Sequence, residues 1–161
     1  MKEHDLIIFD ADQTLRDSVS GQYQYPISDD DWVLLPEVKD RLATIGWAAD
    51  GRSGVCYGIA SNQSGVAYGH LANDLAERLL LAMFVSAFGF EPVRDVVKWC
   101  PHPREGNCLC RKPGFCMLEE IAAFWNVAPQ ATLFVGDKAT DSKTAENFGC
   151  DFIFRDAFFA R

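Results

Sequence analysis

The chain has 161 residues, 48% of them hydrophobic and 24% charged, with 12 Gly and 7 Pro, a composition that fits one globular domain over 1–161 with enough apolar material for a core. Its 15 basic and 23 acidic residues leave a formal charge of −8, which argues against a broad nucleic-acid or membrane-binding face while leaving room for one small basic pocket. No apolar run approaches the roughly 18 to 20 residues of a membrane span, and the charged start Met1-Lys2-Glu3-His4-Asp5 does not read as a signal peptide, so the expectation is a cytoplasmic protein with a monomer as the default.

Leu6-Ile7-Ile8-Phe9 reads as a short buried parallel strand that ends in acidic residues. Residues 16–31 are polar and turn-rich, with Gly21, Pro26 and the run Asp29-Asp30-Asp31, and suggest an irregular flap over one end of a sheet. Pro36 suits a first helical position, and Val38, Leu42 and Ile45 follow at helical spacing up to Gly46. Residues 48–53 form a polar turn and 55–60 a second strand, closed by Ser61-Asn62-Gln63-Ser64-Gly65. From 70 to 88 the pattern is helical, with Leu71, Leu75, Leu79, Ala82 and Met83 on one stripe. A third strand over 93–99 runs into a segment dense in Cys, Pro and Gly. A helix over 115–125 places Leu118, Ile121, Ala122 and Trp125 on one face. A fourth strand covers 132–135, a short helix 140–148 ends at Gly149, and a fifth strand covers 151–154. This alternation predicts an α/β, three-layer Rossmann-like domain with a mainly parallel five-stranded sheet and no large cap domain.

Functional groups in such a sheet collect beyond the carboxyl ends of the strands. The first strand ends in Asp10-Ala11-Asp12-Gln13-Thr14 and the second in Ser61-Asn62-Gln63; the third leads through the cysteine segment to Arg111-Lys112, and the fourth ends in Gly136-Asp137. Two aspartates two residues apart also suit an ordinary turn; four polar strand ends on one rim point to a site. The six cysteines are unusual for a chain with little use for disulfides. Cys100, His102, Cys108 and Cys110 place three thiols and an imidazole in the 100–110 loop, a tetrahedral zinc set that would be structural because no coordination place remains for water. Scattered thiols, or one disulfide within the loop, are the other readings of that segment. Cys56, Cys116 and Cys150 read as core packing, and His4 and His70 as unpartnered surface or helix-end residues. Tyr23, Tyr25 and Trp32 in the flap are core or flap residues that can also cover a substrate.

The ordered set Asp10-x-Asp12-x-Thr14, Ser61, Lys112 and Asp137 with Asp141 resembles the haloacid dehalogenase superfamily of phosphotransferases, over nearly the whole chain. The Cys-x-His…Cys-x-Cys loop running into Arg111-Lys112-Pro113, with Ser61-Asn62-Gln63-Ser64-Gly65 and Gly136-Asp137-Lys138, is similar to the branch containing histidinol-phosphate and heptose-1,7-bisphosphate phosphatases, which binds zinc in this loop. The short gap between His102 and Cys108 is nearer the histidinol-phosphate type, whereas Ala11 stands where both types usually carry arginine. The resemblance implies Asp10 as nucleophile, Asp12 as general acid and base, Ser61 and Lys112 on the phosphoryl group, and Mg²⁺ held by Asp10, Asp137 and the backbone carbonyl of Asp12. Asp141 is either a partner of that metal site or a charge at a helix N-terminus. Thr14, orienting the loop, and Asn62, Arg111 and Lys138 complete the substrate-binding set. Gln13 occupies a position that is most often glycine, and a turn that avoids positive φ is expected there because glutamine does not adopt it cheaply.

The function implied is a Mg²⁺-dependent phosphatase of a small soluble phosphate ester with a structural zinc. Polynucleotide 3′-phosphatases share the Asp-x-Asp-x-Thr, Asn-Gln-x-Gly and Arg-Lys-Pro patterns, but a net charge of −8 disfavours a DNA track. A zinc-stabilised binding module on an inactive hydrolase scaffold is the reading from a different class.

Overall fold

The computed structural model describes residues 2–160. In chain order the elements are β1 (Leu6–Phe9), β2 (Arg16–Ser18), β3 (Trp32–Leu34), α1 (Val38–Leu42), β4 (Cys56–Asn62), α2 (Asn73–Phe88), β5 (Val97–Cys100), α3 (Cys116–Trp125), β6 (Thr132–Gly136), α4 (Ala139–Phe148), β7 (Asp151–Phe154) and α5 (Arg155–Phe159). The main sheet runs β5-β4-β1-β6-β7, and every pair in it is parallel. All four residues of β1 are buried, which is why its apolar run is continuous rather than alternating.

Register separates the two faces of the sheet. Ile8 lies beside Gly58 and Phe134, while Phe9 lies beside Ile59 and Val135, and residues aligned in this way project to the same side. On one side the Phe9 ring meets Phe88 of α2 and Phe158 of α5 edge-on, with centroids 5.8 and 5.4 Å apart. On the other, a Cβ at Gly58 would stand 2.6 Å from the Ile121 side chain, so the missing side chain lets α3 close onto the sheet. Helices therefore cover both faces, and the three-layer α/β architecture is as the alternation implies.

Several element boundaries differ from the pattern in the sequence. The helix after Pro36 is only Val38–Leu42, because Glu37 adopts a left-handed φ of 66° and Ile45 lies in a turn. The third strand begins at Val97, after a 3-10 turn over Arg94–Val96. On α2 the buried stripe is Ala76, Leu79, Leu80, Met83, Phe84, Ala87 and Phe88, while Ala82 is exposed and Leu71 precedes the helix. Leu79–Val85 is apolar at every position, so periodicity cannot orient that stretch. The flap is not irregular from its first residue, since β2 pairs antiparallel with β3 and forms its stalk. The five-residue α5 was not anticipated; it is shorter than two helical turns and offers no period to read.

Ile8 sits at the centre of the sheet with no exposed surface. Ile8→Ala is expected to lower unfolding free energy by about 2–5 kcal/mol, measured by urea denaturation.

Candidate active site

The central position of β1 determines what can meet Asp10. Strands β4 and β6 flank it, so Ser61 near the end of β4 and Asp137 just beyond β6 fall on either side. Lys112 reaches the same point from the loop after β5, and its Nζ lies 2.8 Å from Asp10 Oδ1 and 2.8 Å from Asp141 Oδ1. This lysine is only 5% exposed. Burial opposes its charge, but the Asp10 and Asp141 carboxylates outweigh that and hold the ammonium above the ordinary lysine range. Its backbone N–H donates to Asn62 Oδ1 at 3.0 Å, which anchors the loop from β4.

Asp141 takes the place of a charge at a helix N-terminus and lies beside the Asp10 and Asp137 carboxylates. Its Oδ2 accepts the backbone N–H groups of Asp137 and Lys138 at 3.1 Å, at the start of α4, while Oδ1 faces Lys112. A Cβ on Gly136 would lie 2.5 Å from the Asp141 side chain, so the glycine makes room for this carboxylate. Thr14 Oγ1 lies 3.2 Å from both Asp10 Oδ2 and Asp137 Oδ1. Burial, followed by the bond and charge of Asp10, pushes the Asp137 carboxyl up to about 7. One oxygen each from Asp10, Asp137 and Asp141 lies within 4.8 Å of the others. One ammonium does not offset three such carboxylates, and hard oxygen donors in this arrangement suit a divalent cation such as Mg²⁺.

Asp12 faces a second network. Its Oδ1 accepts from Arg16 Nε at 2.8 Å and its Oδ2 from Gln63 Nε2 at 2.7 Å. The other N–H of that amide reaches Ser61 Oγ at 2.8 Å. Ser61 therefore accepts from Gln63 and keeps its own proton free to donate elsewhere. The turn leading to Arg16 corrects the expectation for Gln13, which takes a positive φ of 64° without being glycine. The conformation is held by the Gln13 N–H bond to Arg16 O at 2.8 Å and by Gln13 Nε2 to Asp17 Oδ1 at 2.5 Å.

A cleft of about 350 Å³ opens over these groups, lined by Asp10, Asp12 and Asp141 and by Arg104, Arg111, Lys112 and Lys138. Asn62 lines it too, whereas Thr14 lies buried beneath the carboxylates and outside the lining. Among the described residues, the buried Nη1 of Arg111 has no partner, an unspent donor in a cleft suited to an anion. Two flap residues complete the wall: Gln24, which accepts from Lys138 Nζ at 3.2 Å, and Tyr25. The Tyr25 ring rests where a Cβ on Gly65 would lie 2.5 Å away, and its hydroxyl bonds His70 Nδ1. Tyr23 stacks on His70 with centroids 4.1 Å apart, while Trp32 packs with the core. His70 is thus not unpartnered, nor is His4, whose Nε2 lies 2.7 Å from Asp151 Oδ2. Sequence reasoning passed over Arg16, Gln24, Arg104 and Arg155. Only contacts identify them: Arg155 Nε, for example, donates to Thr14 O at 3.1 Å across 141 residues.

The cysteine loop gathers into one cluster. Cys100 Sγ lies 2.9 Å from Cys110 Sγ and 3.8 Å from Cys108 Sγ, and His102 Nδ1 lies 3.0 to 3.4 Å from the three thiols. These separations exceed an S–S bond of about 2.05 Å, and the cysteines are free, so the scattered-thiol and disulfide readings give way to four soft donors around one point, compatible with zinc. Bonds from neighbouring groups, Cys110 first, draw the Cys108 thiol down to about 6, while burial pushes the Cys100 and Cys110 thiols up, so a bound metal would have to displace their protons. Cys56 and Cys150 pack against the core, while Cys116 is half-buried and donates to Glu120.

A 32% identical relative is the D-glycero-beta-D-manno-heptose-1,7-bisphosphate 7-phosphatase of Pseudomonas aeruginosa, matched over 75% of this chain and 65% of that protein. The histidine biosynthesis bifunctional protein HisB of Legionella pneumophila is 32% identical over 63% of this chain and 29% of its own length. The matched segments thus span less than two thirds of these relatives. The crystal structure of D,D-heptose 1,7-bisphosphate phosphatase from B. bronchiseptica, complexed with magnesium and phosphate, superposes with a TM-score of 0.68 at 28% identity, covering 92% of this chain and 78% of that one. The model of the polynucleotide kinase 3 phosphatase family matches residues 5–161, and the chain belongs to that family, with the haloacid dehalogenase-like fold of the phosphatases it resembles.

Proposed function

We propose that this chain is a Mg²⁺-dependent phosphomonoester hydrolase acting through an aspartyl-phosphate on a small soluble ester, of the sugar-phosphate or histidinol-phosphate kind. The reading is carried by Asp10, held 2.8 Å from a buried lysine in a cleft where Arg111 keeps an unpartnered Nη1. Of two relatives at 32% identity, one is named as a heptose-1,7-bisphosphate phosphatase and the other as a histidine-biosynthesis protein, which supports this substrate class.

Asp10, Asp137 and the backbone carbonyl of Asp12 would hold Mg²⁺, with Asp141 fixing Lys112 beside them. Bound there, the cation offsets charge on nucleophile and phosphate. The Asp10 carboxylate attacks phosphorus, the ester P–O bond breaks, and Asp12 gives its proton to the departing alkoxide. Asp12 then takes a proton from the water that cleaves the aspartyl-phosphate and regenerates Asp10. Ser61 donates to a phosphoryl oxygen, Lys112, Arg111 and Lys138 offset the remaining charge, Asn62 holds the Lys112 backbone, and Thr14 orients the carboxylates from below. Cys100, His102, Cys108 and Cys110 would hold a structural zinc immediately before Arg111 and Lys112.

A polynucleotide 3′-phosphatase is the second reading, favoured by the description of the matching family. It requires a strand to follow a cleft whose bases face three aspartates, on a chain of net charge −8.

Turnover of a phosphate-ester panel should require added Mg²⁺, and Asp10→Asn should reduce it about 10⁴-fold; activity unaffected by that substitution would overturn the assignment. Sugar phosphates should be cleaved in preference to 3′-phosphorylated oligonucleotides, and a salt-sensitive preference for the oligonucleotide would reverse the two readings. Metal analysis should find close to one zinc per chain, with less than about 0.3 counting against the site, and Cys108→Ser should lower Tm by more than about 5 °C.

A further inference from the structure

We infer that Arg16 is a positioning residue that acts through Asp12, fixing the carboxylate that shuttles the proton without touching the substrate. The inference rests on the phosphatase reading and adds a residue that neither sequence nor comparison assigns.

Arg16 is the largest side chain in the described structure to be fully buried, at 1% exposure. Taking a guanidinium out of water is costly, and a buried ion pair adds little net stability compared with apolar packing of similar volume. Its Nη1 has no partner among the described residues. A position selected for stability alone would favour an apolar residue here.

The backbone is organised to deliver this side chain to Asp12. The left-handed φ of Gln13 turns the chain back, its N–H bonds Arg16 O, and Asp12 and Arg16 pair as an isolated bridge. From the other side, Arg16 is paired with Leu34 of β3. Arg16 Nε then holds one oxygen of Asp12 at 2.8 Å while Gln63 Nε2 holds the other at 2.7 Å. Two donors on two oxygens fix the plane of the carboxylate, whose 14% exposed side chain lines the cleft that Arg16 does not reach. A group that gives a proton to a leaving oxygen and then takes one from water needs that plane kept through both steps.

Leaving-group dependence separates this role from a structural one. The kcat/KM value reports steps up to departure of the leaving group; glycerol phosphate needs a proton at that step, and p-nitrophenyl phosphate does not. Arg16→Met should lower kcat/KM for glycerol phosphate about 10²-fold and for p-nitrophenyl phosphate less than about fivefold. In an Asp12→Asn background it should add no further loss on glycerol phosphate, and Arg16→Lys should recover part of the activity. Equal losses on the two esters, or losses that add to those of Asp12→Asn, would show that Arg16 serves only the fold. If Arg16→Met does not fold, the ester ratio in Arg16→Lys decides in the same way. Wild-type protein inert toward both esters would overturn the phosphatase reading and this role with it, whereas active wild type with no ester discrimination in the variants overturns this role alone.

Discussion

Lys112 carries an ammonium into the interior and sets it between carboxylates from the end of β1 and the first turn of α4, 2.8 Å from each. Desolvating three charged groups costs several kcal/mol per ion, so the arrangement persists only where geometry and further hydrogen bonds are good. Much of the nearby sequence serves that condition. Asn62 fixes the lysine's backbone, Gly136 clears space for Asp141, and the Phe134 ring lies 5.4 Å from the ammonium. Asp137 remains uncompensated beside them, and its carboxyl is pushed up to about 7. The ion triad ties the end of β1, the loop after β5 and the start of α4 together.

The two donor clusters divide the work by chemistry. The carboxylate oxygens lie at the sheet rim, where hard cations and phosphate chemistry are at home. Cys100 ends β5, and His102, Cys108 and Cys110 lie in the loop that follows it, where such donors can close the chain on itself. That loop leads straight into Arg111 and Lys112, so whatever stiffens it also fixes the approach of two bases to the cleft. Tyr68 adds a tie, accepting the Arg104 N–H at 3.1 Å and donating to Glu105.

The parallel sheet and its rim were legible because burial on both faces writes continuous apolar runs, and because chemistry concentrates where those runs stop. Asp10, Ser61 and Asp137 each follow such a run and Lys112 stands beyond the loop after β5; the structure brings Asp10, Lys112 and Asp137 to one end of the sheet and ties Ser61 to Asp12 through Gln63. Gln13 was misread because steric preference alone says nothing of the two hydrogen bonds that stabilise its left-handed turn. Arg16 looked like the first polar residue of a flap, since a charge that will be buried cannot be told from a solvated one by composition. The partners of His4 and His70 lie 147 and 45 residues away, beyond any local pattern. Helix α2 was found with Leu79 and Met83 of its buried stripe, but Ala82 was misplaced and Ala76, Leu80, Phe84, Ala87 and Phe88 were missed, because an uninterrupted apolar stretch carries no phase.

The central place of β1 also bears on the order in which the protein acquires its site during synthesis. In chain order Asp10 comes first, its lysine at 112, the remaining carboxylates at 137 and 141, and the arginine that braces the first loop at 155. Until β6 inserts beside β1, that strand lacks one of its two neighbours. Before those elements are made, Asp10 lacks the lysine it meets in the fold. The site is complete only when Lys112, Asp137, Asp141 and Arg155 have docked against the end of β1 and the loop after it.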